Sequence, residues 1–417
     1  MTAPVLARDP DFERWLDEAR GTPIASLLAH PRMTKLRGEV EKVGPCPDCG
    51  GRDRFGVNTR KHRFICRGCH PKGGDVIALA QMLDGCDFLE ACETLVGRPP
   101  PGRAGAELTP DERAAREAAF AQLARDRAAQ AASQDREHNA WRERERERCF
   151  QFWTKAVPIG STPAEAYLTL RAIKAPPDAH LRYAPEHPLF GETYVDDGGR
   201  KQYPVLHRGP ALLAGITGPD GRFAGVHATW IDPRIGSGDM PAGSDGKLTG
   251  VVDPRTGEVM PSRKARGSLR GGRIELVRHD APKRLFLGEG RETVLAAWCL
   301  LLQEDPAVAA ESAFWSAIDL GNLGGKALRT VGHPTEKTAG GRARMVPGPD
   351  PDPDWPAIPI PSSVEHLYLL GDGDSDAFAT ACALVRAAAR YARPGLSCHR
   401  VMAPPGLDWN DVRRRAA

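Results

Sequence analysis

The stretch HLYLLGDGDSD, residues 366–376, is followed by a helical pattern from Ala377 to about Tyr391. An apolar run of strand length, then acids set between glycines, then a helix, is the signature of one strand–loop–helix unit. The same order occurs earlier: Leu285-Phe286-Leu287, then Gly288-Glu289-Gly290, then a helical pattern from about Glu292 to Leu301. It occurs again later, where Cys398–Ala403 leads into a loop carrying Asp408-Trp409-Asn410-Asp411. Strand runs that alternate with helices predict an α/β domain with a largely parallel sheet over residues 281–417, interrupted by a Pro- and Asp-rich loop at Val346–Pro361.

In an open parallel sheet, ligands gather outside the carboxyl ends of the strands. All three acidic clusters occupy that position, so Glu289, Asp372, Asp374, Asp408 and Asp411 are the candidate catalytic acids. Converging carboxylates repel one another unless a cation neutralises them. Oxygen-only ligands point to Mg²⁺ or Mn²⁺, and such ions suit phosphoryl transfer. The glycines beside Glu289 and Asp372 are expected to let a triphosphate approach the backbone. An EF-hand reading of Asp372, Asp374 and Asp376 fails, because the sixth position is Ala377 and the twelfth is Ala383. There is no G-x-x-x-x-G-K-[ST] string, so no P-loop is encoded.

Moving outward, the front of the chain holds four of its 10 cysteines as Cys46-x2-Cys49-x16-Cys66-x2-Cys69. Two C-x-x-C knuckles joined by such a loop predict one tetrahedral structural zinc site in a small ribbon. Cys66–His70 also matches the C-x-x-C-H haem-attachment pattern, which requires export, and His70 is an alternative fourth ligand to Cys69. The other six cysteines are expected to be small core fillers. The loop between the knuckles carries Arg52, Arg54, Arg60, Lys61 and Arg63, which suit nucleic acid, while Phe55 and Phe64 are expected to pack the ribbon core. A second basic stretch, Arg263 to Arg284, has eight basic residues against two acids.

Four segments follow from this: a zinc ribbon with flanking helices (1–98), a charged helical linker (99–154), a mixed α+β module (155–280) and the α/β domain (281–417). A semi-rigid helix is expected over about 109–150, with a disordered linker as the alternative. In the third segment Pro204–His207, Ala211–Thr217 and Ala224–Trp230 read as separate strands. The chain's 417 residues are 41% hydrophobic and 27% charged, with a net charge of +3. That is an ordinary globular composition, without a run long enough to cross a bilayer and without a secretory leader, so a cytoplasmic protein with no membrane partner is expected.

Taken together, these strings resemble the bacterial-type DNA primases of phages, plasmids and mobile elements. GPCPDCGGRDRFGV, FICRGC and GGDVIALAQMLDGCDFLEACETLVG are similar to the primase zinc-binding domain. The last domain resembles the TOPRIM domain, whose Glu, Asp-x-Asp and closing Asp-rich motifs are matched by Glu289, by Asp372 and Asp374, and by Asp408 with Asp411. YLTLR (Tyr167–Arg171), AGVHATWID (Ala224–Asp232) and KARGSLRGGRIEL (Lys264–Leu276) are similar to strings of the polymerase core. The resemblance implies Mg²⁺-dependent synthesis of short RNA primers from ribonucleoside triphosphates on single-stranded DNA. Lys264, Arg266 and Arg270 would then contact template or nucleotide. A replicative helicase would act in trans, since the chain ends soon after the TOPRIM motifs. Two other readings stay open: a TOPRIM nuclease or topoisomerase-like cleaver, and a non-catalytic DNA-binding protein of a mobile element.

Overall fold

The computed structural model describes residues 10–33, 36–38, 40–101, 125, 136, 139–196, 198, 200–237, 239–338 and 341–416. The chain divides into two compact units between Arg127 and Ala128. Most of the helix expected at 109–150 lies outside the described residues. Its last turns belong to a helix over residues 139–155 (α4).

The first unit opens with helix α1 (Pro10–Gly21) and a 3-10 turn at Ile24–Ala29. Strands β1 (Glu41–Cys46), β2 (Gly50–Asn58), β3 (Arg63–Cys66) and β4 (His70–Gly74) form an antiparallel sheet in chain order. Alternation along β2 and β3 turns Phe55, Val57, Phe64 and Cys66 inward and leaves Arg54, Arg63 and Ile65 exposed. Helices α2 (Val76–Asp84) and α3 (Phe88–Val96) cover the inward face, where Val76, Leu79, Leu83 and Cys92 join Trp15. Their ends are written in the sequence. Asp75 accepts from the Ala78 N–H, Asp87 and Glu90 form a reciprocal capping box, and Gly85 takes the left-handed conformation that ends α2.

The second unit begins with α4 and α5 (Pro163–Leu170). An antiparallel sheet follows, in the order β10-β9-β8-β5: β5 (Leu181–Phe190), β8 (Val205–Thr217), β9 (Phe223–Trp230) and β10 (Arg263–Gly267). The short pair β6 (Tyr194–Val195) and β7 (Lys201–Gln202) projects between β5 and β8. The two runs expected as separate strands at 204–207 and 211–217 are one strand, β8. Proline does not break it because Pro210 turns its polar edge toward β9 just past the last ladder pair, Ala211 with Trp230; its carbonyl accepts from the Ile231 N–H, and no ladder bond needs the missing N–H.

The second sheet has the order β11-β13-β12-β16-β17. Its strands are β11 (Ile274–Val277), β12 (Arg284–Gly288), β13 (Ser312–Ser316), β16 (His366–Gly371) and β17 (Ser397–Met402). Four are parallel, and β11 is antiparallel at one edge. β11 lies before the boundary expected at residue 280, yet it pairs with β13, and Ile274 shares a core with Leu212 and Ile216 of β8 and Val294. Helix α6 (Arg291–Glu304) follows β12, then α7 (Pro306–Ala310) leads to β13. After β13 come α8 (Leu320–Gly324) and the hairpin β14 (Thr330–Lys337)–β15 (Ala343–Pro347). Helix α9 (Ala377–Tyr391) joins β16 to β17, and α10 (Trp409–Ala416) follows.

In this sheet β13 is buried along its whole length, whereas β12 and β16 bury their leucines on one face and leave Phe286 and Tyr368 half-buried on the other. Leu285, Leu287, Leu367 and Leu369 pack with Leu384 and Ala387 of α9. On the other face Phe314, Phe286, Tyr368 and His399 stack in one row across four strands, with centroids 4.4, 4.5 and 4.7 Å apart. The chain leaves β12 toward β13 on one side and returns to β16 on the other. β12 and β16 therefore flank the point where the strand order reverses, the usual crevice for a ligand in such sheets.

Candidate functional site

Glu289 follows β12 and Asp372 follows β16, in register at Gly288 and Leu370, so the two acids stand side by side at that crevice. They line a cavity of about 480 Å³ together with Asp374 and Asp408. Asp372 accepts from the Thr293 hydroxyl (3.0 Å), on the first turn of α6, and from the Trp409 N–H (3.4 Å). Asp408 and Asp411 bond each other's backbone N–H groups, at 2.6 and 3.4 Å, as a cap for α10. Asp411 does not line the cavity; its carboxylate is taken up in that cap.

The electrostatics bear the mark of crowding. Burial and then the Asp372 and Asp319 charges push the Glu289 carboxyl above its ordinary value. Burial, with Asp408 and Asp374, does the same to Asp372 against the pull of its two hydrogen bonds. Among the described residues, no three of these carboxylates bring ligand atoms within 4.8 Å of one another. Such a donor set fits a hard divalent ion held by one or two carboxylates and completed by substrate oxygens, rather than a closed all-protein cage.

The cavity is also lined by cations. Arg171, Lys247, Arg263 and Arg291 line the same cavity. Arg291 is 3% exposed and reaches the His227 carbonyl and the Thr229 hydroxyl of β9. Beside it Glu292 accepts from the Tyr167 hydroxyl (2.9 Å). Burial alone would raise that carboxyl, but Arg291, Arg171, Arg263 and Lys247 hold it well below the usual range, so it stays charged and offsets the repulsion among those cations. His227 is pushed down to about 3 by burial and by Arg291, and stays neutral. The Nε atoms of Arg171 and Arg291 and the Nδ1 of His227 are buried with no hydrogen-bond partner.

Lys264, Arg266 and Arg270, expected to contact template or nucleotide, do not line this cavity. Lys264 donates to the Phe190 carbonyl (3.0 Å). Arg266 pairs with Glu145 of α4 (2.7 Å) and lies over the Phe190 ring, and Arg270 stacks on Trp355 at 4.2 Å. Strand period explains the difference. Lys264 and Arg266 share one face of β10, and Arg263, one residue out of step, lines the cavity. Arg171 and His227 sit inside the strings YLTLR and AGVHATWID, a usable signal, while Lys247 and Asp319 had none.

The glycines also have another use. A Cβ on Gly288 would meet Val294, one on Gly371 would meet Met402, and one on Gly373 would strike the Pro404 carbonyl at 2.2 Å. These three let backbone and side chains pack, while Gly290 lines the cavity, where a Cβ would meet only Thr293, at 3.3 Å. Gly373 in particular is stitched to the loop that carries Asp408, through Gly373 N–H to Leu407 O (2.9 Å) and Gly406 N–H to Gly373 O (2.8 Å).

In the first unit the four cysteine sulfurs lie within 4.8 Å of one another, with Cys46–Cys69 at 3.6 Å and Cys49–Cys66 at 3.5 Å. All four are free thiols; Cys46 and Cys66 are buried, Cys49 and Cys69 exposed. The spacing and the all-sulfur donor set fit one zinc ion. His70 points its Nδ1 at the Cys69 sulfur (3.3 Å), beside the four rather than among them. Arg54, Arg60, Lys61 and Arg63 are exposed; the side chain of Arg52 lies outside the described residues. Of the other cysteines, Cys92, Cys149, Cys299 and Cys382 are buried.

A further cluster, His333, Glu336 and Asp376, is an ion-pair knot. His333 Nδ1 accepts from the Glu336 N–H (2.8 Å), so the neutral ring carries its proton on Nε2, facing Asp376 at 3.2 Å. Arg344 bonds both Glu336 and Asp376, and Asp376 also caps α9. No lone pair is left for a metal at the histidine.

No helix among the described residues is long and apolar enough to cross a membrane. Residues 143–276 match a family described as a domain of unknown function (DUF7146). No curated protein matches the sequence. Among solved structures, the zinc-binding and RNA polymerase domains of the Aquifex aeolicus primase align over 98% of this chain and 82% of that one, at 13% identity and a TM-score of 0.31. A DNA primase domain from Pseudomonas aeruginosa aligns over 61% and 68%, at 13% identity and 0.33. The Escherichia coli primase catalytic core aligns over 66% and 76%, at 12% identity and 0.32.

Proposed function

We propose that this chain is a metal-dependent nucleotidyltransferase that makes primers on a single-stranded DNA template. One observation carries the reading: acids from three strand ends and four cationic side chains line a single cavity. A nucleoside triphosphate needs both, cations for its phosphates and carboxylates for the divalent ion that travels with it.

Asp372, Asp374 and Asp408 would hold Mg²⁺ or Mn²⁺, with Glu289 beside them; when bound, the ion neutralises charge on the reacting phosphates. Thr293 and the Trp409 N–H fix the direction of Asp372. Arg171, Lys247, Arg263 and Arg291 draw in the phosphates, and the ionised Glu292 keeps those cations in place. Glu289, with its raised carboxyl, is suited to take the proton from an attacking hydroxyl. Cys46, Cys49, Cys66 and Cys69 would hold structural zinc, and the exposed Arg54, Arg60, Lys61 and Arg63 on that ribbon suit template phosphates.

The test is primer synthesis on single-stranded DNA with ribonucleotides and Mg²⁺. Asp372→Asn and Glu289→Gln are each expected to lower the rate by about 10²-fold or more. Primer yields equal to wild type from both variants would remove the acids from the chemistry. Nicking of supercoiled plasmid without nucleotides, and no primers, would replace polymerisation by cleavage.

A further inference from the structure

The loop between β17 and α10 serves both kinds of charge in the cavity. Asp408 lines the cavity itself. The Trp409 N–H donates to Asp372 (3.4 Å), and the Trp409 indole N–H donates to Gly371 O (3.0 Å). The next residue serves a cation. Asn410 is 2% exposed, and its side-chain amide donates to the carbonyl oxygen of Arg171 (2.6 Å). Arg171 lies 239 residues earlier in the chain and is one of the four cations of the cavity.

Arg171 closes α5, and its backbone needs that support. The Arg171 and Ile173 N–H groups both reach back to Leu168 O, at 3.1 and 3.0 Å, across Ala172 at φ 57°. A left-handed alanine is uncommon and persists only where its surroundings hold it. Carbonyls in the last turn of a helix have no intrahelical partner, and Asn410 takes up the one of Arg171. The guanidinium has a seat of its own. It donates to Asp245 O (3.4 Å) and lies 3.6 Å from the Asp245 carboxylate, which also pairs with Lys247 (2.6 Å), a second cavity cation. One helical turn after Asn410, Arg414 donates to Leu170 O (3.4 Å), so α10 meets the end of α5 at more than one point. Asn410 is the point that reaches a cavity residue.

We propose that Asn410 is a positioning residue for the nucleotide phosphates: it holds Arg171 at a fixed distance from Asp372 and Asp408. The proposal rests on the reading of the cavity as a nucleotide site. The experiment measures primer synthesis by the full-length, zinc-loaded protein at varied ribonucleotide concentration, and Mg·ATP binding by calorimetry. Asn410→Ala removes the donor, and Asn410→Leu removes it while filling a similar volume, so a fault shared by both is not a packing loss. Each is expected to raise the nucleotide KM about tenfold and to leave kcat within about twofold of wild type. Neither should raise KM further in an Arg171→Gln background, because the contact acts through Arg171. Mn²⁺ affinity without nucleotide should match wild type, since Trp409 keeps both of its bonds and Asp408 and Asp411 still cap α10. A rise in KM that adds in full to that of Arg171→Gln, or a parallel loss of Mn²⁺ affinity, would reduce Asn410 to a support of the α10 loop. Wild-type KM in both Asn410 variants would overturn the proposal and leave the nucleotide site standing. If wild type binds Mg·ATP but makes no primers, the binding constants carry the same comparison. A wild-type protein that does neither would remove the nucleotide site and the proposal together.

Discussion

Glu289 and Asp372 destabilise the folded chain by being charged. In the ion-free protein both carboxyls are raised, by burial first and by neighbouring acids next. Groups raised in this way favour the native state only when protonated. Their contribution is complete below the unfolded value of about 4 and is lost as pH rises through the folded one. Asp372→Asn should therefore raise the thermal midpoint at pH 8 without added Mg²⁺, with the gap closing as pH falls toward about 4. Saturating Mg²⁺ should stabilise wild type and leave the variant behind. A variant less stable than wild type at pH 8 in the absence of Mg²⁺ would contradict the account. At this scale the acids were legible because glycine-flanked carboxylates after apolar runs have few other uses. The cationic lining was not: on β10 the choice between Arg263 and its neighbours Lys264 and Arg266 depends on strand parity, which a run of basic residues hides. Asp319 was hidden for a related reason, since nothing in its own stretch marks the end of β13 as a neighbour of β12.

The elements that carry the acids are bound to one another by close backbone approach. Gly373, between Asp372 and Asp374, lies against Ala403 and Pro404, and its N–H and C=O are both spent on the loop leading to Asp408. A Cβ there would meet two carbonyl oxygens at 2.2 and 2.6 Å, so one loop must move. Gly373→Ala should cost about 1–3 kcal/mol in stability. It should also lower Mn²⁺ affinity, because Asp372 and Asp408 would no longer share a fixed geometry. Circular dichroism melts and a Mn²⁺ titration check both, and a variant with unchanged melting and unchanged affinity would show that the loops adapt freely. The neighbouring Asp376 is already committed to His333, Arg344 and the α9 cap, so of the three acids in GDGDSD only two face the cavity. Element type was the most legible level. The helices at 76–84, 88–96 and 377–391 start at Asp caps, and two of them stop at glycines. Long-range pairing was less so: Gly209-Pro210 reads as a break, and only the end of the β9 ladder at Ala211 and Trp230 shows why the strand continues.

Over the whole molecule, the first compact unit gathers four cysteine sulfurs and the second lines a cavity with carboxylates. The first unit buries Cys46 and Cys66 in the same cluster as Phe55, Phe64 and Trp15, so its core and its sulfur site are one structure. A ribbon of this size draws much of its folding energy from the metal, about 10–16 kcal/mol of apparent binding for comparable sites. The second unit has cores of its own, around Ile216 and Val294 and around Leu285 and Leu369. Cys49→Ser should therefore abolish zinc binding and the calorimetric transition of the first unit, while the transition of the second unit stays. Mn²⁺ binding through Asp372 and Asp374 should match wild type. Primer synthesis on single-stranded DNA should be lost, since the exposed arginines of the ribbon would no longer be presented on a folded sheet. Loss of Mn²⁺ binding in this variant would mean that the two units do not fold independently. Wild-type priming without zinc would mean that template is held by the second unit alone, and the basic ribbon would need another partner.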